Sequence, residues 1–247
     1  MQKIRIPENL TTLAYETIRE FIWEGRLEQG PHLTEDFLAV RLGISKSPIH
    51  EALNRLEAEG LIRIEPRRGA YLRTFTAKEI QDLYDFREAL ESHAVASLTV
   101  TPELLRELRL SVARANRFIQ DDAKRDYIEE DIRFHRLIAD AAGNERIAHA
   151  LENIQQQVWI FRRKTYDLSR SKAVVAHTRI VDALAAGNKS AARRIMRNHM
   201  TSVCGRLVAF VKSPATAERA TSPAARKGYR PGRRSANPVA EPAQTAR

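Results

Sequence analysis

Residues 33–72 read LTEDFLAVRLGISKSPIHEALNRLEAEGLIRIEPRRGAYL, and this stretch decides the fold of the N-terminal part of the chain. Apolar residues between Leu38 and Leu42 give a short first helix one buried face, and Gly43 follows as a break. Ser45 then stands where the cap of a second helix is expected. The spacing predicts two short helices joined by a tight turn.

The second helix has a clear division between an inner and an outer face. Pro48 lies in its first turn, where a missing N–H costs little. The inward residues recur at helical spacing and are Ile49, Ala52, Leu53 and Leu56. The outward residues are Lys46, Ser47, His50, Asn54 and Arg55. A polar outer face with two basic residues is suited to contact with a charged partner.

A two-stranded wing is predicted after this helix. Gly60 ends the helix, residues 61–64 alternate like a strand, and Pro66-Arg67-Arg68-Gly69 form a basic turn. The whole pattern predicts a winged helix-turn-helix, which puts its second helix in the DNA major groove and its wing near the phosphates. The alternative is a small helical domain with a hairpin and no DNA role. The expected DNA-binding residues are Ser45, Lys46, Ser47, His50, Arg55, Arg67, Arg68 and Gly69.

The segment from about residue 13 to residue 71 resembles the DNA-binding domain of the GntR family of bacterial transcription regulators. The resemblance is carried by Ile18, Ile22, Gly25, Leu27, Gly30, Leu33, Glu35, Leu38, Ala39, the run 45–53, Leu56, Glu59, Gly60, Leu61, Pro66, Arg68 and Gly69. Relatives commonly have arginine at the places of Lys46 and His50, and some have arginine at Asp36. Arginine can grip guanine with two hydrogen bonds, whereas lysine is a point charge, so the resemblance implies a different operator here.

Composition limits the class of protein. The 247 residues suffice for two modest domains, and the single cysteine, Cys204, excludes an intramolecular disulfide framework. The net charge is +10, but residues 1–75 hold 11 basic and 11 acidic residues, so DNA binding must depend on local placement of charge. The first ten residues lack the apolar core of a signal peptide, which favours a cytoplasmic protein that does not enter a membrane.

Three regions are expected along the chain. Residues 1–75 form the winged helix-turn-helix, residues 76–213 an all-helical bundle, and residues 214–247 a basic tail without apolar periodicity. The fold class is therefore mainly α. Helices are predicted from Thr76 to about Leu98, from Thr101-Pro102, from about Ala123 to Ala142, from Gly143-Asn144 to about Lys164, from near Ser171 to Ala186, and from Gly187-Asn188 to about Lys212. Six helices with short connections imply antiparallel neighbours.

A metal site is a candidate inside this bundle. Asp131 and His135 lie four residues apart, hence on one helix face. His177 stands 10 residues before Gly187 and His199 stands 12 residues after it, so the two histidines fall at similar heights on antiparallel helices. Three imidazoles and a carboxylate suit zinc, nickel, iron or manganese. Taken singly, a histidine is more often an ordinary core or surface residue than a metal ligand.

Residues from about 80 to 210 resemble the FadR-type C-terminal ligand-binding domain of the same family, known as the FCD domain. The carrying residues are Arg87, Glu91, the run 131–135, Gly143, Asn144, His177 and the run 192–199. The resemblance implies that Asp131, His135, His177 and His199 bind a divalent metal, and that Arg87 helps to hold the carboxylate of an effector. The alternative for Arg87 is an i,i+4 pair with Glu91 on the helix surface.

Four further residues of the bundle are candidates for the cavity or for the core. Glu152 and Gln155 lie about as far after Gly143 as His135 lies before it, so they are candidates for lining the same cavity. Trp159 and Phe161 are expected to fill a core or an interface.

Taken together, the sequence predicts a homodimeric transcription regulator that binds a double-stranded DNA operator and responds to a small carboxylate effector, and the family resemblance favours a repressor. A two-fold dimer is expected because paired half-sites require two recognition helices. One alternative is a metal-dependent enzyme acting on small organic acids, since a bound metal can activate water. Another is a DNA-binding protein whose metal is purely structural.

Overall fold

The computed structural model describes residues 9–25 and 33–213. The N-terminal part contains three helices and two strands: α1 (Leu10–Trp23), α2 (Glu35–Leu42), α3 (Lys46–Ala58), β1 (Ile62–Glu65) and β2 (Gly69–Leu72). We call this part the winged-helix module. The predicted helix-turn-helix and wing are confirmed.

The helix and strand ends predicted in this module agree with the structure to within a residue or two. Thr34 caps α2 with its side chain, and Gly43 ends that helix in the left-handed conformation with φ 66°. Ser45 is the N-cap residue of α3, but its side chain forms no capping hydrogen bond with any residue that the structure describes. The strands pair antiparallel from Ile62 opposite Leu72 to Glu65 opposite Gly69. The first strand thus begins one residue later than predicted.

The apolar faces of the three helices meet in one core. Ile18 and Ile22 of α1, Leu38 of α2, and Ile49 and Leu56 of α3 are all fully buried. At about 1.5–3 kcal/mol for each buried aliphatic side chain, this cluster is a main source of the module's stability. The outer face of α3 stays exposed as a result.

The C-terminal part is all helical, and we call it the bundle. It comprises α4 (Ala77–Ser97), α5 (Pro102–Gln120), α6 (Lys124–Ala141), α7 (Glu145–Ala185) and α8 (Lys189–Lys212). Thr76 and Glu79 form the predicted capping box, and Asn144 and Asn188 cap the last two helices. Helix α4 packs along α8, α5 along α6, and α7 against both α6 and α8. None of the helices in residues 9–25 and 33–213 is long and apolar enough to cross a membrane.

One predicted break is wrong: the two helices expected to end near Lys164 and begin near Ser171 are a single 41-residue helix, α7. The intervening polar residues have weak helix propensity, but packing overrides it. Thr165 and Tyr166 are each 3% exposed. The Thr165 hydroxyl donates to the Phe161 carbonyl, and the ring of Tyr166 packs edge-on against Tyr127.

The middle of α7 also contacts the winged-helix module. The rings of Trp159 and Trp23 lie 5.3 Å apart, and those of Phe161 and Phe75 lie 4.5 Å apart. Arg163 donates from Nη1 to the Trp23 carbonyl at 2.8 Å. The expectation that the two aromatic residues of α7 fill an interface is confirmed.

The remaining expectations concern parts of the chain outside the described residues. They are the basic tail 214–247, the first eight residues, and Leu27 and Gly30 of the family pattern.

Candidate metal centre and DNA-reading surface

Three histidines lie together in the middle of the bundle. His135 stands on α6, His177 on α7 and His199 on α8, and each is at most 5% exposed. One ring nitrogen of each lies within 4.8 Å of the corresponding nitrogens of the other two. The Nε2 atoms of all three are buried and have no hydrogen-bond partner among the described residues. Since buried polar atoms are nearly always satisfied, these converging nitrogens indicate a place for a group that they bind together.

The environment keeps these imidazoles uncharged. Burial lowers the pKa of His135, and burial together with the neighbouring imidazoles and arginines lowers the pKa of His177 and His199 well below the ordinary value. The ring of His177 stacks on Phe134 with centroids 3.9 Å apart, which fixes its plane. A neutral imidazole is the form that offers a lone pair to a metal ion.

Arg87 and Glu91 form a buried pair on α4 that reaches the cluster. Both side chains are 0% exposed, and Arg87 Nε donates to Glu91 Oε1 at 2.9 Å. The other carboxylate oxygen, Oε2, lies 2.8 Å from Nδ1 of His135. The alternative of a surface i,i+4 pair is therefore wrong. The Nη1 atom of Arg87 is buried without a hydrogen-bond partner in the described part of the chain.

Glu91 determines which nitrogen of His135 is free. Burial alone would raise the pKa of Glu91, but the hydrogen bond from His135 and the charge and hydrogen bond of Arg87 outweigh burial and lower that pKa. An ionised carboxylate only accepts hydrogen bonds, so Nδ1 of His135 carries the proton and donates. The lone pair then resides on Nε2, which is buried and has no hydrogen-bond partner among the described residues. Carboxylates hold metal-binding histidines in this way in many proteins.

Asp131, the fourth predicted ligand, lies at the edge of the cluster. Its Oδ1 is 3.7 Å from Nε2 of His177, and its Oδ2 contacts Nη1 of Arg162 on α7. Arg162 and His177 are fifteen residues apart, about 22 Å along a straight helix. Both reach the same carboxylate, so α7 is not straight between residues 162 and 177, an interval that includes the predicted break.

The residues present fit a divalent metal ion. Three buried, neutral nitrogen donors converge, a carboxylate stands beside them, and a second carboxylate orients one of the rings. Nitrogen and oxygen ligands of this kind suit first-row transition metals and zinc. A divalent ion would lie among these three histidines.

The structure places Gln155 in the core and Glu152 on the surface, and it adds Arg162, which was not proposed from the sequence. Gln155 is 4% exposed and its amide atoms have no partner among the described residues, whereas Glu152 is exposed and cannot line a buried cavity. Arg162 was not among the candidates. It follows Val158 by four residues and precedes the buried Thr165 by three, and this spacing places it on the buried face of α7.

On the winged-helix module, the start of α3 presents two exposed basic residues. Lys46 and His50 have 58% and 59% of their side chains exposed. The Lys46 ammonium lies 2.5 Å from Asp36 Oδ1, and His50 Nδ1 lies 2.7 Å from Glu35 Oε1. Ser45 and Ser47 are exposed beside them. These four residues share one surface, at the end of α3 that enters the groove in helix-turn-helix proteins.

Arg55, near the other end of α3, is engaged within the module. Its guanidinium lies 3.9 Å from the centre of the Tyr15 ring, and its Nε donates to Glu59 Oε1 at 3.1 Å. Tyr15 also donates its hydroxyl to Glu59, at 2.6 Å. The side chain of Arg55 is 54% exposed, but these contacts hold its guanidinium against Tyr15 and Glu59.

The turn of the wing is a separate basic surface. Arg67 and Arg68 are exposed, and Arg67 has a positive φ of 64°. Arg68 lies 2.8 Å from the carboxylate of Glu65. Gly69 begins β2 directly after the turn, so the two arginines are held at the tip of the hairpin, away from the module's core.

An exposed recognition helix, a basic wing and a helical bundle with a candidate ligand site are together typical of a DNA-binding transcription regulator. The family model for bacterial regulatory proteins of the gntR family matches residues 10–72, and the FCD domain model matches residues 82–202. One relative comes from Agrobacterium vitis and is 31% identical to this chain over 135 residues. It is described as an uncharacterized HTH-type transcriptional regulator in the TAR-I ttuE-ttuC' intergenic region. The match covers 52% of this chain and 79% of that protein. The chain belongs to the GntR family and carries an FCD domain.

Further comparisons agree with this assignment. The HTH-type transcriptional repressor RspR of Escherichia coli K12 is 25% identical over 193 residues, covering 76% of this chain and 85% of that protein. The crystal structure of a GntR transcriptional regulator from Rhodococcus sp. RHA1 has the same fold, with a TM-score of 0.71 and 23% identity over 81% of this chain and 97% of that one. The family consists of transcription regulators that bind DNA operators, and RspR is named a transcriptional repressor, so the metalloenzyme alternative is not supported.

Proposed function

We propose that this regulator is a homodimeric repressor whose affinity for its operator is set by a small carboxylate effector bound with a divalent metal in the bundle. The observation that supports this most directly is the set of three buried Nε2 atoms, unpartnered among the described residues, beside the equally buried Arg87. Neutral imidazoles bind a metal, and a guanidinium with a spare N–H edge binds a carboxylate. When bound, the metal supplies a positive centre for the effector's oxygen atoms.

The effector must favour one arrangement of the winged-helix modules, because a ligand with equal affinity for all arrangements changes nothing. Helix α7 offers a physical connection. It carries His177 of the cluster, and it carries Trp159 and Arg163, which contact Trp23 of the module. A change in the curvature of α7 on ligand binding would therefore act on α1.

The proposed operator-reading residues are Ser45, Lys46, Ser47 and His50, with Arg67, Arg68 and Gly69 near the phosphates. Their support is exposure and position on the start of α3 and the tip of the wing. For Arg55 the support is weaker, because Tyr15 and Glu59 already engage it. Asp36 and Glu35 must release Lys46 and His50 before these side chains can reach bases.

The central test begins with genomic selection of DNA bound by the full chain, followed by titration of the selected operator. Metal-loaded protein is expected to lose at least about tenfold in operator affinity when the right organic acid is present, and metal-free protein is expected to show no such loss. Fluorescence anisotropy measures both. If a broad panel of organic acids leaves operator affinity unchanged while chelation unfolds the bundle, the metal is structural and the proposal fails.

Exchange of the reading residues should alter sequence preference. Lys46→Arg and His50→Arg each introduce a side chain that binds guanine with two hydrogen bonds, a difference of about 1–3 kcal/mol per base pair. The selected motif is expected to shift toward guanine at one position, while affinity for random DNA changes little. Lys78→Arg, an exposed lysine of α4, is the matched control. One identical motif from all four proteins would show that residues 46 and 50 do not read bases.

A further inference from the structure

Arg162 is a second buried cation in the proposed effector site. Only 11% of its side chain is exposed, and its Nη1 contacts Oδ2 of Asp131. Together with Asp131, Thr165 and His199 it lines a cavity between α6, α7 and α8. A guanidinium stays protonated in proteins, so this charge is permanent. Its only carboxylate partner among the described residues is Asp131.

Asp131 cannot fully neutralise Arg162 and bind a metal ion at the same time. Its Oδ1 faces the histidine cluster, 3.7 Å from His177 Nε2, while its Oδ2 faces Arg162. If the carboxylate binds a metal beside the histidines, it gives up much of its charge to that ion. Arg162 is then left buried with a weakened partner, and an unpaired buried charge is strongly destabilising. Another anion is needed to compensate it.

The charges of the site point to how much negative charge is missing. Arg87 and Arg162 are balanced by Glu91 and Asp131, and metal-binding imidazoles are neutral. A divalent ion therefore leaves an excess of two positive charges inside the bundle. An uncompensated excess of this size is costly in a buried site, so the missing partner carries two negative charges.

We propose that Arg162 is a second anion-binding residue and that the effector is a dianion, one acidic group held by Arg87 at the metal and the other by Arg162. This inference rests on the proposed function and narrows its ligand class to diacids. The free volume of the cavity is about 20 Å³, room for roughly one water molecule. A diacid enters only when Arg162 moves off Asp131, which links ligand entry to the release of Asp131 for the metal.

The test compares diacids with their monoamides, which have nearly the same shape and one charge less. Malonate, succinate and glutarate are paired with malonamate, succinamate and glutaramate in calorimetric titrations of the metal-loaded full chain. At least one diacid is expected to bind at least about tenfold more tightly than its monoamide, because a charge-assisted hydrogen bond to Arg162 is lost.

In the variant Arg162→Gln, the affinity for the diacid is expected to exceed that for its monoamide by less than about threefold. Arg162→Lys is expected to keep part of the roughly tenfold difference. Arg162→Gln should also leave metal affinity equal or higher, since Arg162 competes for Asp131. The matched control is Arg114→Gln, which breaks the ion pair of Arg114 with the nearly buried Glu130 outside the cluster. It should change neither the preference nor the metal content.

Equal binding of every diacid and its monoamide to the unmutated protein overturns the inference, while the proposed function stands. An unchanged preference in Arg162→Gln overturns the role of Arg162. If that variant does not fold, the unmutated protein and Arg162→Lys decide the matter. If no carboxylate binds the metal-loaded chain, in this set or in the broad panel, the proposed function fails and the inference falls with it.

Discussion

Replacing His199 by alanine is expected to remove the metal ion from the bundle. His199 offers one of three buried nitrogens that lie within 4.8 Å of one another, and two nitrogens hold an ion far less tightly than three. Loss of a residue that merely supports a ligand costs about ten- to hundredfold in metal affinity, so loss of a ligand should cost more than about a hundredfold. His177→Ala is expected to behave in the same way.

The measurement is metal content after dialysis, together with the rise in melting temperature on adding metal. The unmutated protein should be stabilised in proportion to the logarithm of metal concentration over its dissociation constant, and the variants should lose this response. His149→Ala is the matched control, because 76% of that side chain is exposed. Unchanged metal stoichiometry in both cluster variants would show that the histidines do not bind the ion.

Removing the carboxylate of Glu91 should produce the largest loss of stability. Glu91→Ala leaves Arg87 fully buried without its partner, and it removes the hydrogen-bond acceptor of His135 Nδ1. Breaking a buried ion pair from one side costs about 3–5 kcal/mol. We expect the free energy of unfolding of the bundle, measured by urea denaturation of metal-free protein, to fall by that amount.

Two variants separate the stability role of Glu91 from its role at the cluster. Glu129→Ala removes an exposed partner of Arg125 on α6 and should cost less than about 0.5 kcal/mol. Glu91→Gln keeps the shape but loses the charge, so His135 is no longer held in one tautomer and metal affinity should fall about ten- to hundredfold. A loss below about 1 kcal/mol in Glu91→Ala would contradict the importance of the buried pair.

Much of the fold was predictable because its signals are local. The apolar faces of α2 and α3, the positive φ at Gly43 and the capping box at Thr76 depend on residues close together in the chain. The convergence of His177 and His199 was also predictable, since both are counted from the turn at Gly187 and antiparallel helices have a fixed rise. The structure brings both histidines beside His135.

What the sequence could not predict is decided by packing between distant segments. An arginine and a glutamate four residues apart look the same on a surface and in a core, so nothing local shows that Arg87 and Glu91 are buried. Four of the six residues 165–170 have weak helix propensity, and the burial of Thr165 and Tyr166 stabilises the helix there. The helix end wrongly predicted near Lys164 also explains why Arg162 was not predicted as a site residue, because it was expected to lie at a helix terminus.

The contact between α7 and the winged-helix module matters for anyone who builds hybrid regulators. The linker around Thr74–Thr76 looks like a convenient place to exchange DNA-reading modules while keeping the sensing part. Yet Trp159 and Phe161 pack on Trp23 and Phe75, and Arg163 holds the end of α1. A foreign module joined at that linker would leave two aromatic rings uncovered. The portable unit for a biosensor is therefore the bundle together with α1 and the linker, with only α2, α3 and the wing open to exchange.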